Sequence, residues 1–231
     1  MGIDMYASLI NNEETKPWRD LLLVHQFAVD EIRTKLNILD EEFRNTDDYN
    51  PIEHIRHRVK KRESIIEKLT RMGAEPTAEN AMMMLHDIAG IRIICAFTAD
   101  IYRIVELLSK QSDVKILGIK DYIRFPKENG YKSLHLHIEY PVFLSSGTVP
   151  VRVEIQLRTI AMDFWASIEH KIYYKYQEKA PRSIQKQLKE CAELIANLDD
   201  RMYHLKLDIF NLDDDLIETS ENLFYREKVY Y

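Results

Sequence analysis

Ser133-Leu-His-Leu-His-Ile-Glu-Tyr140 and Val151-Arg-Val-Glu-Ile-Gln-Leu-Arg158 are the two stretches on which the fold turns. In the first, Leu134, Leu136, Ile138 and Tyr140 alternate with Ser133, His135, His137 and Glu139. In the second, Val151, Val153, Ile155 and Leu157 alternate with Arg152, Glu154, Gln156 and Arg158. Strict period-two alternation marks strands with one face in a core and one face polar. Ser145-Ser146-Gly147 suits a tight connection between them, so an antiparallel pair is expected. Glu154, Gln156 and Arg158 then share one face, as do His135 and His137.

Working outward, Ile88–Phe97 and Val114–Tyr122 read as further strands, and Ala99–Ser112 reads as a helix between them. Phe125–Tyr131 is a loop carrying Pro126, Asn129 and Gly130. Towards the N-terminus, Trp18–Phe43 has the apolar stripe of a long amphipathic helix through Leu22, Phe27, Ile32, Leu36 and Leu39. A polar turn, Asn45 to Asn50, follows it. Asn50-Pro51-Ile52-Glu53 has the chemistry of a helix start: Asn as cap, Pro in the first turn, Glu at the third position. That helix is expected to run to Met72 and to stop at Gly73. Thr77 caps a short helix through Leu85. After Thr159 a helix runs to Tyr176, Pro181 interrupts the pattern, and another helix covers Ser183–Leu207. The expected fold is α+β: a mixed sheet of about five strands flanked by helices. Residues 1–49 and 178–231 read as N- and C-terminal helical extensions around a catalytic domain at 50–177. The last stretch, with Asp213-Asp214-Asp215 and Val229-Tyr230-Tyr231, reads as a frayed tail or a partner-binding segment.

Composition narrows the function. Of 231 residues, 45% are apolar and 30% charged, ordinary for a globular protein, and the net charge is −6. The chain as a whole is no polyanion binder, so any phosphate site must be a local concentration of Lys and Arg. The two cysteines, Cys95 and Cys191, lack metal spacing and are expected to be buried reduced thiols of a cytoplasmic protein. Met1–Thr15 has neither the basic nor the apolar part of a signal peptide. Ile88–Phe97 is too short to span a membrane and carries Arg92.

Four places carry candidate chemistry. On the segment from Pro51 to Met72, Arg58, Lys60, Lys68 and Arg71 exceed the nearby acids, and Ser64, Lys68 and Arg71 share one helical face. Two cations and a hydroxyl in line suit a polyphosphate, although a solvated charged face has the same composition. The polar strand faces hold Arg92, His135, His137, Glu154 and Gln156; an exposed antiparallel sheet shows the same alternation. Asp87 stands just before a strand and Glu154 on another; such carboxylates suit Mg²⁺ with a nucleotide, and a turn or cap residue is the plainer reading of Asp87. In the loop, Gly130 permits close approach of a ligand, Tyr131 offers a stacking surface, and Lys127 and Lys132 offer charge. Tyrosine is common here, thirteen in all, so one in a loop is weak evidence. P-loop, GxGxxG and HExxH motifs are absent, and His86-Asp87 lacks the further ligands of a metal hydrolase.

Taken together, Arg58-Val-Lys60 with Ser64-Ile-Ile-Glu-Lys68, His86-Asp-Ile-Ala-Gly-Ile-Arg92, Asp121-Tyr-Ile, Pro126-Lys-Glu-Asn-Gly-Tyr131 through His135, Val153-Glu-Ile-Gln-Leu-Arg-Thr159 and Trp165-Ala-Ser-Ile-Glu-His170-Lys171 resemble the RelA/SpoT-type (p)ppGpp synthetase domain. The short chain with terminal helices resembles the stand-alone small alarmone synthetases. The resemblance implies a nucleotidyltransferase-like fold and transfer of the β,γ-diphosphate of ATP to the 3′-hydroxyl of GDP or GTP. It implies that Arg58 and Arg92 sandwich adenine, and that Lys60, Ser64, Lys68 and Arg71 serve the ATP phosphates. Asp87 and Glu154 would hold Mg²⁺. Tyr131 would stack on guanine, with Lys127, Asn129 and His135 around the acceptor. Glu154 would orient and deprotonate the hydroxyl, supported by Gln156. A homotetramer through the terminal helices and RNA as a regulator also come with the resemblance. Relatives that bind their own product between subunits carry a Lys and a Phe where this chain has Asn37 and His54, so a RelP-like enzyme without product activation is expected. Two alternatives stand: a tRNA 3′-end pyrophosphokinase, and a catalytically idle nucleotide- or RNA-binding regulator.

Overall fold

The computed structural model describes residues 15–46, 49–175 and 180–210. The expectations for residues 1–14 and for the acidic and tyrosine-rich tail from Asn211 to Tyr231 lie outside the described residues. The elements, in order, are α1 (Lys16–Thr46), β1 (Ile52–Val59), α2 (Arg62–Arg71), α3 (Ala78–Met84), β2 (Ala89–Cys95), α4 (Thr98–Ser109), β3 (Lys115–Asp121), β4 (Leu134–Leu144), β5 (Gly147–Thr159), α5 (Ile160–Lys175) and α6 (Arg182–Phe210). The strands form one five-stranded sheet in the order β1-β2-β5-β4-β3. Only the β2–β5 pairing is parallel; the other three are antiparallel. The α+β plan is thus borne out, including the hairpin in which Leu144 pairs Gly147 across Ser145 and Ser146.

The sheet has two unlike faces because its strands alternate in phase. Ile91, Ile93, Leu136, Ile138, Val153, Ile155 and Leu157 point into one core and are almost fully buried. They pack with Ala28, Val29, Ile32 and Leu36 of α1 and with Ile101, Ile104 and Leu108 of α4. The first helix, expected as an extension, therefore shares the main core. A second cluster joins Trp18 and Leu21 to Ile65, Leu69, Leu85 and Ile88, and so fixes α2 beside the start of β2. Thr77 caps α3 as expected, accepting from the Asn80 backbone N–H at 3.1 Å.

The expected helix from Asn50 to Met72 is corrected. Residues 52–59 are an edge strand, and only Arg62–Arg71 is helical. Asn50 does cap, but it caps a turn: its Oδ1 accepts from the Ile52 backbone N–H at 2.9 Å, while its Nδ2 donates to Asp40. The register between β1 and β2 shifts between Ile52 and His54. This bulge puts one extra residue into the strand, so apolar residues three and four apart (Ile52, Ile55, Val59) imitate a helical stripe. The second correction concerns Cys191, which is exposed on α6, whereas Cys95 is buried as expected. Among the described residues no helix is long and apolar enough to cross a membrane.

Ile155 sits at the centre of β5 with no exposed surface. Ile155→Ala is expected to cost about 3 kcal/mol of stability through lost burial and a residual cavity, read as a lower midpoint in urea unfolding.

Candidate functional site

The polar faces of the strands coincide. Arg58 lies across from Gly90 and Arg56 across from Arg92. Gly90 and Arg92 lie across from Glu154 and Gln156. These in turn face His137 and His135, and β3 adds Lys120 opposite His135. Arg56, Arg58, Asp87, Arg92, Glu154 and Gln156 line a cleft of about 240 Å³ on this face. Gly90 leaves the floor low beside Arg58; a methyl there would sit 3.8 Å from the Arg58 Cγ.

Glu154 is the best-held group in the cleft. Its Oε1 lies 3.1 Å from His135 Nδ1, and its Oε2 accepts from Gln156 Nε2 at 2.8 Å. Burial alone would raise its pKa; the His135 and Gln156 hydrogen bonds and the nearby imidazoles outweigh that and hold it at about 2. His135 is fixed from its other side, where Nε2 meets the Tyr131 hydroxyl at 2.9 Å. Arg158 Nη2 donates to the same hydroxyl at 2.7 Å. A continuous chain thus runs from the loop residue Tyr131 to the central carboxylate.

Asp87 organises the opposite wall. Its Oδ2 accepts from Lys60 at 2.6 Å and from Lys68 at 2.7 Å. Burial opposes ionisation, but the two ammonium groups prevail and its pKa is lowered. Its other oxygen, Oδ1, is buried without a partner among the described residues. That free oxygen, in the cleft that Glu154 also lines, is a donor suited to a hard cation. No three His, Cys, Asp or Glu side chains cluster for a metal among the described residues. A cation held here must therefore draw further ligands from phosphate and water, as Mg²⁺ does.

Of the remaining expected residues, Asn129 shapes the loop. Its Oδ1 accepts from the Tyr131 N–H at 3.1 Å, and its Nδ2 donates to Glu169 of α5 at 3.0 Å. Gly130 has φ of +89°, and a Cβ there would fall 2.6 Å from the Ala192 Cβ of α6, so the loop can lie on that helix only with glycine. Lys127 Nζ stands 4.9 and 5.0 Å from the Tyr122 and Tyr131 ring centroids. Ser64 and Arg71 are exposed on α2, outside the cleft lining. Sequence reasoning missed Asp163, which accepts from Arg92 at 3.1 Å and from Arg158 at 3.0 Å and so positions both guanidinium groups. It also gave Arg158 no role. Arg158 stood in the alternation beside Gln156, but nothing in the local pattern points to Asp163, which lies in the first turn of α5.

His137, across from Glu154, is a further group on this face with a shifted pKa. Its pKa is depressed to about 4, first by burial, against the pull of Glu154. Below pH 6.5 the unfolded imidazole takes a proton that the folded one refuses down to about 4, so His137 costs stability progressively as pH falls through that window. Glu154 acts lower, its contribution being lost between its unfolded value of 4.5 and about 2. Without added metal, the drop in melting temperature from about pH 7 to about pH 5 is expected to be smaller in His137→Gln than in the unaltered chain. An identical drop contradicts the assignment.

Residues 57–179 match the family model described as a region found in RelA/SpoT proteins. GTP pyrophosphokinase YwaC of Bacillus subtilis is 49% identical over 192 residues, covering 83% of this chain and 91% of that protein. GTP pyrophosphokinase YjbM of the same organism is 39% identical over 193 residues, covering 84% and 90%. Among solved structures, the crystal structure of small alarmone synthetase 2 from B. subtilis superposes with a TM-score of 0.76 at 48% identity, covering 83% of this chain and 98% of that one. Small alarmone synthetase 1 bound to its product pppGpp gives 0.79 at 37% identity, covering 84% and 99%.

Proposed function

The chain belongs to the RelA/SpoT family, and we propose that it is a small alarmone synthetase, a GTP pyrophosphokinase that makes ppGpp or pppGpp from ATP and GDP or GTP. Two relatives matched over almost their whole length carry that activity in their names. The observation that carries the reading is Glu154: an ionised carboxylate aimed by His135 and Gln156, standing between a wall rich in cations and a tyrosine-bearing loop.

In the proposed reaction, residues 50–177 supply the catalytic groups. Arg58 and Arg92 hold the adenine between planar cations. Lys60 and Lys68, already gathered at Asp87, meet the ATP phosphates, with Ser64 and Arg71 continuing that line along α2. Tyr131 stacks on guanine, and Lys127, Asn129 and His135 attend the acceptor. Glu154 accepts a hydrogen bond from the 3′-hydroxyl. The hydroxyl oxygen forms a bond to the β-phosphorus of ATP, the bond from that phosphorus to the α,β-bridging oxygen breaks, and AMP leaves with the bridging oxygen. The hydroxyl proton passes to Glu154 and on to water. A carboxylate held at about 2 is a weak base. Its main contribution is therefore alignment, and it takes the proton once bonding to phosphorus has made the hydroxyl acidic. Asp87 Oδ1 and Glu154 are the groups that would hold Mg²⁺, which neutralises phosphate charge when bound.

Assembly follows the same reading. Leu194, Leu198, Met202 and Leu205 form an exposed apolar stripe on α6, and Phe164 and Ile168 are exposed on α5. These faces support a homotetramer through the terminal helices of a cytoplasmic enzyme. Asn37 and His54 share a groove of about 380 Å³ with Asp40, Glu53 and Arg56. Lacking the Lys and Phe of product-binding relatives, that groove supports a RelP-like enzyme without product activation.

The test is direct. Purified protein with Mg²⁺ and γ-labelled ATP is offered GDP, GTP or tRNA in separate reactions. Label is expected in ppGpp or pppGpp with an equal amount of AMP, and Glu154→Ala should lower the rate about 10³-fold or more in protein that circular dichroism shows to be folded at the assay temperature. Label in tRNA alone, or no transfer with nucleotide binding intact, overturns the proposal.

A further inference from the structure

Across the middle of the sheet runs a row, Gly90, Glu154, His137 and Gly118, set by the strand register. Glycine at both ends leaves room above the row. A Cβ on Gly118 would meet nothing within 4 Å. His137 rises beside Glu154, and both of its ring nitrogens are buried with no hydrogen-bond partner among the described residues. His86, the residue before Asp87, meets it edge-on, with ring centroids 5.5 Å apart and planes at 81°. The Nδ1 of His86 is likewise buried without a partner among the described residues.

Buried imidazole nitrogens without partners are costly, and two such rings in contact beside the cleft point to a polar ligand that completes them. The surrounding charge says which. Arg152, Lys120 and Lys68 act on His86, with Asp87 as the opposing charge; of the charges on His137 the Glu154 carboxylate acts first and Lys120 opposes it, which leaves three cations against two carboxylates around the pair. A local cationic excess around orphaned donors selects an anion. Position narrows it further. The pair lies next to Asp87, where Lys60 and Lys68 converge, whereas Tyr131 is joined to the neighbouring row through His135. The pair therefore belongs to the donor side of Glu154.

We propose that His86 and His137 form the seat of the terminal phosphate of the donor triphosphate, the group that becomes the outer phosphate of the transferred diphosphate. This rests on the reading of the cleft as an ATP-dependent synthetase and names a contact that reading does not contain. The imidazole N–H groups donate to the non-bridging oxygens, and Lys120 and Arg152 balance their charge. ADP lacks the phosphate that fills the seat, so the pair distinguishes ATP from ADP.

Titration calorimetry on the full chain with Mg²⁺ reads this, using an ATP analogue with a methylene bridge between its α- and β-phosphates, ADP, AMP and GDP as separate probes. The unaltered chain is expected to bind the triphosphate about tenfold or more tighter than ADP, the size of one or two charge-assisted hydrogen bonds. His137→Phe should remove most of that gap and leave AMP and GDP affinities unchanged, while His137→Gln, which keeps a donor, should retain part of it. If His137→Phe does not fold, His86→Leu, which removes the other imidazole and leaves no donor, reads the same quantity. A triphosphate-over-ADP gap that is undiminished in His137→Phe or His86→Leu, or a loss confined to GDP, overturns the inference. The two readings fail differently: an unaltered chain that transfers no label removes the synthetase reading, whereas label transfer with the gap intact in the variants removes only the histidine seat.

Discussion

Everything in the cleft depends on the phase of β5. Val151, Val153, Ile155 and Leu157 have their side chains in the core, so Arg152, Glu154, Gln156 and Arg158 have theirs on the opposite face. A slip of one residue would invert both sets, and the apolar loss would be large, so burial itself holds the polar face in register. β5 is also the strand where parallel and antiparallel pairing meet, with β2 on one side and β4 on the other. It thereby gathers Arg92 and the Asp87 corner from one neighbour and His135 and His137 from the other.

The electrostatics of that face explain how an acidic protein can receive polyphosphates. The chain carries −6 overall, yet its few buried or half-buried carboxylates on the cleft each answer to more than one cation or donor: Asp87 to Lys60 and Lys68, Asp163 to Arg92 and Arg158, Glu154 to His135 and Gln156. The pairs keep the cations ordered before a substrate arrives. Nucleotide phosphates then exchange one anionic partner for another instead of ordering long, free side chains, which is how a preorganised site limits the entropy cost of binding.

Much of this was legible in the sequence, and the misses have physical causes. Period-two alternation in Ser133–Tyr140 and Val151–Arg158 is a strong signal, and the face it assigns to His135, Glu154 and Gln156 is the face observed. At β1 a bulge placed Ile52, Ile55 and Val59 at helical spacing, and the Asn50-Pro51 start has the same chemistry for a turn as for a helix. Asp163 was illegible because its partners Arg92 and Arg158 reach it through tertiary structure, Arg92 from another strand altogether. The exposure of Cys191 depends on which face of α6 meets the body of the protein, and a helix with apolar residues on more than one face does not disclose that. The orphaned nitrogens of His86 and His137 are a matter of packing on a strand row, and no local pattern encodes them.

The central claim is that one polar sheet face brings donor and acceptor nucleotides together at Glu154. The most direct measurement is a crystal structure of the protein with Mg²⁺, the α,β-methylene ATP analogue and GDP. The account predicts the analogue's phosphates against Lys60, Lys68 and Asp87, guanine on Tyr131, and the acceptor 3′-oxygen within hydrogen-bond distance of the Glu154 carboxylate. Nucleotides bound away from this face, or an acceptor whose 3′-oxygen points away from Glu154, contradict it.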